Sequence, residues 1–413
     1  MSHFDLCIIG SGSANSIIDE QFDDLSIAQV EQGTFGGTCI NVGCVPTKMF
    51  VYPADLARSP SEAGGLGVDL ELRMVHWKEI RDRIFGRIDP ISEDGARHRE
   101  RSANVTLFRS AARFVGPHRL QVGADQVLTA ERFVLGVGSR VVLPDLPGLD
   151  SVDYHTSDTV MRLPALPQSM IILGGGYVAA EFAHIFASFG TRVTMINRSD
   201  RLLAREDADV AARFTEQIAR YVDLELNRTS ERLEPSPDGS IIVHTRDRDG
   251  QLRAVTGEVL LVATGRRTNA DTLNLEATGV GVDDQGFVRV DDHQQTAVPG
   301  IFALGDVSSH DQLKHVANAD AKVVKHNLLH PDAMIRSDHR FVPHAVFSDP
   351  QIASVGLTEE QARAKGVRFV TATQDYGSVA YGWAMEDVSH FVKVLADPGD
   401  GRLLGAHLVG PQA

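Results

Sequence analysis

Hydrophobic and polar positions fall twice into one pattern: a short continuous apolar run, a glycine-rich turn, a stretch of mixed polarity, then a second apolar run. The first copy reads D-L-C-I-I-G-S-G-S-A-N, a strand ending at Gly10 and Gly12, and is followed by a strand over Ser26 to Val30 that ends in Glu31. The second reads S-M-I-I-L-G-G-G-Y-V-A-A-E, with Gly174, Gly176 and Ala179 in the equivalent positions and a strand over Thr191 to Ile196. This is the layout of a dinucleotide-binding βαβ unit. Glycines permit the tight turn, the helix N-terminus faces a pyrophosphate, and an acid about 20 residues on accepts ribose hydroxyl protons.

Two such units imply two dinucleotides, such as a flavin adenine dinucleotide and a nicotinamide one, and a redox relay is the natural reading. The first match is weakened by Asn15, which stands where the third glycine belongs, and an ordinary Gly-rich turn is its alternative. In the second, Asn197 and Arg198 replace the acid. Arg198 and Arg201 have the chemistry to pair with a 2′-phosphate, which favours NADPH; the alternative is that both are solvated loop charges.

A Pro/Gly-rich connection from Leu143 to Gly148 separates the two units, and V-L-L-V-A-T-G-R-R-T-N closes the second near Asn269. T-A-V-P-G-I-F-A-L-G-D-V then predicts a strand ending at Gly305 and Asp306, where open α/β sheets bind ligands; a turn residue or cap is the alternative for Asp306. Lys314 to Leu328 has helical spacing, with Val316, Val323, Val324 and Leu328 on the buried face. From about Arg340 strand-like stretches alternate around a short helix, Glu359 to Ala364. The expected fold is α/β: two Rossmann-like FAD- and NAD(P)-binding domains plus a C-terminal α+β interface domain. The expected boundaries are 1–148 for the first part of the FAD domain, 149–270 for the NADP domain, 271–338 for the second FAD part and 339–413 for the interface domain.

Composition narrows the function. At about 150 residues per domain, 413 residues make two or three domains. No apolar run approaches the ~18 residues of a membrane span. The net charge of -15 repels polyphosphate chains and anionic membranes, which argues against nucleic-acid and membrane partners. Without a basic region and cleavage site at the N-terminus, a cytoplasmic location is expected. The three cysteines, Cys7, Cys39 and Cys44, are too few for a stapled secreted domain.

Cys39 and Cys44 lie in G-G-T-C-I-N-V-G-C-V-P-T-K. With no second pair and no nearby histidine, zinc is disfavoured and no metal is expected. Two buried structural cysteines are the stronger alternative. On a regular helix, positions i and i+5 are too far apart for the Cα separation of about 4.4 to 6.8 Å that a disulfide needs, so a break in the backbone is expected. Gly43 would supply conformational freedom there, and Pro46 suits the first turn of a helix continuing through Lys48. Cys44 would then sit at the positive helix end, where a thiolate is stabilised.

These motifs, with A-T-G-R, F-A-L-G-D and L-L-G-A-H in the same order, resemble the flavin-dependent pyridine nucleotide-disulfide oxidoreductases over nearly the whole chain. K-M-F-V-Y-P-A, D-Y-H-T-S-D-T-V-M-R, K-H-V-A-N and D-Y-G-S-V-A-Y-G-W-A-M-E-D, together with Asn15, resemble the branch that reduces mycothione, the disulfide of mycothiol. The resemblance implies that Gly10, Ser11, Gly12 and Thr38 bind FAD, with Glu31 on the adenosine ribose, Ala112 near the adenine and Asp306 on the ribityl chain. The helix beginning near His315 to Ala317 would aim its amino end at the flavin. Gly174, Gly175, Gly176, Val178 and Gly265 would cradle NADPH. Lys48 and Glu181 would pair beside the flavin, the alternative for Glu181 being an exposed first-turn charge. Cys39 and Cys44 would form the redox-active disulfide, Cys39 attacking mycothione and Cys44 facing the flavin.

The resemblance also implies a homodimer whose partner subunit supplies a general-acid histidine from an H-P-x-x-x-x-E-type segment. The chain ends at Ala413 without one, and His330-Pro331 is expected to be a loop. The interface domain is therefore expected to be incomplete and mycothione turnover impaired. A related disulfide reductase, a dihydrolipoamide dehydrogenase and a flavin-binding scaffold are the alternatives.

Overall fold

The computed structural model describes residues 2–413. Packing divides the chain into two compact units. One gathers residues through Pro46, Phe85–Arg140 and Arg266–Arg340; the other gathers Thr47–Ile84, Val141–Gly265 and Phe341–Ala413.

The first unit is built on a seven-stranded sheet. Ser2–Ile9 lies between Ile27–Val30 and Gln126–Leu135, parallel to both, with Ile9 opposite Val30 and Leu135. Val105–Phe108 extends one edge. Gln126–Leu135 pairs antiparallel with Arg119–Val122 through its first part and parallel with Ile301–Ala303 through its last. Strand side chains alternate between faces, and here both faces are covered. Cys7, Ile9, Val30 and Leu135 enter one core, while Leu6, Ile8, Ile27 and Val134 enter another with Val324 and Leu328 of the Lys314–Leu329 helix. Cys7 is thus a small core residue. Val316, Val323, Val324 and Leu328 are all buried, as the helical spacing predicts.

The expected helix after Gly12 does not form. Ser13–Ile17 and Glu20–Phe22 are short 3-10 turns instead. Arg99, buried, donates to the carbonyls of Asn15 (2.9 Å) and Ile18 (3.1 Å) and through Nε to Asn15 Oδ1 (2.8 Å). These bonds satisfy backbone groups that an α-helix would have paired internally. Burial lowers the pKa of that guanidinium. Asn15 Oδ1 also accepts from Gln29 Nε2 at 3.1 Å, so the residue that interrupts the glycine pattern is a hydrogen-bonding hub.

The second unit holds a five-stranded parallel sheet in the order Asp223–Glu225, Arg192–Ile196, Ser169–Leu173, Val259–Val262, Tyr154–His155. The Tyr177–Ser188 helix follows its central strand. A separate antiparallel five-stranded sheet, His344–Val346, Ile352–Gly356, Leu403–Val409, Phe391–Ala396 and Val370–Asp375, forms the C-terminal part. The Glu359–Ala364 helix is where the sequence puts it, opened by a capping box between Thr358 and Gln361.

Candidate active site

In the first unit the glycine turn has a steric reason. Gly10 has φ +104°, and a Cβ there would stand 2.2 Å from the Gly136 carbonyl oxygen. Only glycine fits. A Cβ on Gly37 would lie 2.7 Å from Gly12 Cα, so two backbone segments meet without side chains between them. Glu31 ties this cradle together: Ser11 N–H and Oγ–H donate to Oε2 at 2.9 and 2.7 Å, and Gly33 N–H donates to Oε1 at 2.7 Å. Ser139 donates to Asp306 Oδ2 at 2.7 Å, and Arg266 donates in turn to Ser139. The Lys314–Leu329 helix starts without a side-chain cap, leaving its first amides for another acceptor. Ala317 is buried in its first turn, with space at Gly305 so tight that a Cβ would lie 3.0 Å from the Ala317 Cβ. Ala112 opens the Ala112–Gly116 strand, half-buried. A side-chain-free cradle, an acid at the strand end and uncapped helix amides fit a dinucleotide.

The cysteine segment breaks where expected, for a different local reason. Gly37–Asn41 is one short helix and Cys44–Ala63 the next. Asn41 Nδ2 fixes the entry by donating to the carbonyls of Phe35 (2.9 Å) and Gly37 (3.0 Å). Gly43 does not adopt a left-handed conformation. It is needed because a Cβ would stand 2.9 Å from the Thr38 carbonyl oxygen. Thr38 itself is exposed and accepts the Val42 N–H at 2.9 Å.

Both cysteines carry thiols and neither is in a disulfide, Cys39 half-buried and Cys44 exposed at the first position of its helix. The hydrogen bond to Cys44, and then burial, push the Cys39 thiol pKa upward against the opposing pull of Lys314. The Val45 N–H at the start of the second helix hydrogen-bonds Cys39 and opposes that rise.

In the second unit Lys48 Nζ donates to both oxygens of Glu181, at 2.6 and 2.7 Å. Glu181 is 5% exposed, so it is not a first-turn surface charge. Phe347, which sequence reasoning missed, donates its backbone N–H to Glu181 Oε1 at 3.0 Å, and its ring centroid lies 4.4 Å from Lys48 Nζ. No periodic signal links it to positions 48 and 181.

The second glycine turn repeats the first. Gly174 has φ +127° and its Cβ would meet the Ala263 carbonyl oxygen at 2.3 Å; a Cβ on Gly175 would meet the Asn197 side chain at 2.7 Å. Gly176 caps the Tyr177–Ser188 helix, exposed and with open space around it, and Val178 is half-buried in that helix's first turn. Gly265, at φ +121°, also faces open space. Arg198 is exposed, whereas Arg201 pairs with Glu360 at 3.4 Å. His330 is exposed just past the Lys314–Leu329 helix. Among the described residues no His, Cys, Asp and Glu cluster could hold a metal ion, and no helix is long and apolar enough to cross a membrane.

The model of the pyridine nucleotide-disulphide oxidoreductase family matches residues 4–322, and that of its dimerisation domain matches residues 342–413. A mycothione reductase of Mycobacterium tuberculosis is 48% identical over 100% of this chain and 91% of its own length. A mercuric reductase of Staphylococcus aureus is 31% identical over 99% of this chain and 75% of its own. Among solved structures, the HOCl-induced flavoprotein disulfide reductase RclA from Escherichia coli superimposes with a TM-score of 0.85 at 27% identity, covering 99% of this chain and 90% of that one.

Proposed function

Because the chain belongs to the pyridine nucleotide-disulphide oxidoreductase family, and so is a flavoprotein disulfide reductase using FAD and a nicotinamide dinucleotide, we propose that it reduces mycothione to mycothiol at the expense of NADPH. The observation that carries the reading is the cysteine pair: hydrogen-bonded to each other, on two helices separated by a break, one at a helix start. The substrate rests on the likeness to the mycothione reductase. NADPH rests on Arg198, an exposed guanidinium after the second unit's central helix and strand with no acid in the ribose position.

Gly10, Ser11, Gly12, Glu31, Thr38, Ala112, Asp306 and Ala317 would hold FAD, and Gly174, Gly175, Gly176, Val178, Arg198, Arg201 and Gly265 the nicotinamide dinucleotide. When bound, FAD supplies two-electron chemistry between nicotinamide and sulfur. Lys48 and Glu181 hold a fixed charge pair, its carboxylate buried, for the hydride-accepting half of the reaction. In the other half Cys39 gives up its proton and attacks one sulfur of mycothione. The substrate S–S bond breaks, a mixed disulfide forms on Cys39, and one mycothiol leaves with a proton. Cys44 then attacks Cys39 Sγ, releasing the second mycothiol and closing the Cys39–Cys44 disulfide. The dimerisation-domain match supports a homodimer, and we place it in the cytoplasm.

The test is turnover. NADPH consumption should be fastest with mycothione and slow with glutathione disulfide or lipoamide, and NADH should be a poor donor. Faster turnover of lipoamide with NADH would replace this reading with that of a dihydrolipoamide dehydrogenase.

A further inference from the structure

The pair formed by Lys48 and Glu181 is not the only bridge between the Cys44–Ala63 and Tyr177–Ser188 helices. His184 is fully buried, and its Nε2 lies 2.7 Å from Asp55 Oδ1. Its other ring nitrogen, Nδ1, lies 3.2 Å from Ser188 Oγ one turn further on. Both imidazole nitrogens are thus engaged, and a neutral ring satisfies both contacts by donating to Asp55 and accepting from Ser188.

Glu181 and His184 are i, i+3 neighbours on one helix face, and Lys48 and Asp55 are i, i+7 on the other helix, again one face. Two bridges therefore run from two turns of the cysteine-bearing helix onto a single turn of the Glu181 helix. Their charges run in opposite senses, cation to anion in one and anion to imidazole in the other. A slip of the helices that brought Asp55 toward Glu181 would face two carboxylates, so the combination specifies one register. The same stretch is anchored once more beyond Asp55: Arg58 donates to Asp349 Oδ2 at 2.5 Å and stacks over Tyr221 at 3.7 Å, while Tyr221 donates to the Asp349 carbonyl at 2.6 Å. The Tyr221 ring lies edge-on to His184 at 6.5 Å.

We propose that His184 and Asp55 are positioning residues that hold Lys48 against Glu181, and so set the rate of the hydride-accepting half-reaction without touching cofactor or substrate. The rate part of this inference rests on the functional reading above; the geometric part does not. Small displacements of a positioned group lower rates steeply, about 10²-fold for 1 Å in unfavourable cases.

The test compares His184→Phe, which keeps a ring and loses both polar contacts, with His184→Gln, whose side-chain amide can still donate to Asp55, in the FAD-loaded full chain. Asp55→Leu, which removes the acceptor, is the second variant should His184→Phe not fold, with the same slowing and the same loss of the Lys48–Glu181 contact expected. Rapid-mixing flavin reduction by NADPH should slow about tenfold in His184→Phe and recover in His184→Gln. Crystal structures should show Lys48 Nζ out of hydrogen-bonding reach of Glu181 in the first and in reach in the second. An unchanged Lys48–Glu181 contact in His184→Phe overturns the proposal, as does equal slowing in both variants with equal loss of melting temperature. If the unsubstituted protein takes no electrons from NADPH, the functional reading fails by itself, and the Lys48–Glu181 separation still decides the positioning claim.

Discussion

After Gly12 the chain makes two short 3-10 turns, whereas after Gly176 it runs as a 12-residue α-helix. The glycine turns themselves are alike: Gly10 and Gly174 both have positive φ, and each would drive a Cβ into a carbonyl oxygen of the neighbouring strand's exit. The glycines therefore specify the turn and the close backbone approach, and the following residues decide what is built on it. In the first unit the backbone groups left over are satisfied by the buried Arg99, and the acid Glu31 is spent on Ser11 and Gly33. In the second the helix pairs its own backbone, freeing Glu181 and His184 to receive Lys48 and Asp55. One turn serves binding; the other also carries a buried polar contact set.

The largest break in that picture is chemical. Cys39→Ser should bring mycothione turnover to background while flavin reduction by NADPH persists, because only the sulfur exchange is lost; stopped-flow and steady-state absorbance read both. Next come the turns. Gly10→Ala and Gly174→Ala should each destabilise the fold by about 3 kcal/mol or more through strain at positive φ and backbone overlap. Gly176→Ala, with ordinary φ and open space, should change stability by less than about 0.5 kcal/mol and weaken nucleotide binding instead. Denaturation midpoints and nucleotide titration separate the two effects.

Lys48→Met leaves Glu181 buried without its cation. Such changes cost about 3 kcal/mol when the pair is fully buried, less here because the lysine side chain is 34% exposed. Arg99→Met should cost about 2 kcal/mol by orphaning the Asn15 and Ile18 carbonyls, and should loosen amide protection over residues 13–18. Arg198→Ala should raise KM for NADPH roughly tenfold with KM for NADH unchanged.

Much of this was legible in the sequence because it is local. Apolar runs, glycine turns and a cysteine pair too far apart for one helix all act within a few residues of one another. Lys48 and Glu181 came through the family resemblance, since nothing periodic connects positions 133 apart. The rest was hidden for the same reason. Phe347, the His184–Asp55 bridge and Arg99 on Asn15 are polar contacts between distant segments, and single buried polar residues leave no pattern. The 3-10 turns after Gly12 escaped because the glycine fingerprint there is followed by Asn15, whose side chain serves Arg99 and Gln29 and not a helix. Gly43 is needed for room beside the Thr38 carbonyl and not for conformational freedom.

Electrons from a nicotinamide dinucleotide should reach Cys39 and Cys44. Anaerobic thiol trapping of the oxidised, FAD-loaded protein, read residue by residue by mass spectrometry after unfolding, tests it most directly. Both cysteines should be alkylated only after NADPH is added, with Cys7 alkylated in either case. Equal alkylation of Cys39 and Cys44 with and without NADPH would contradict it.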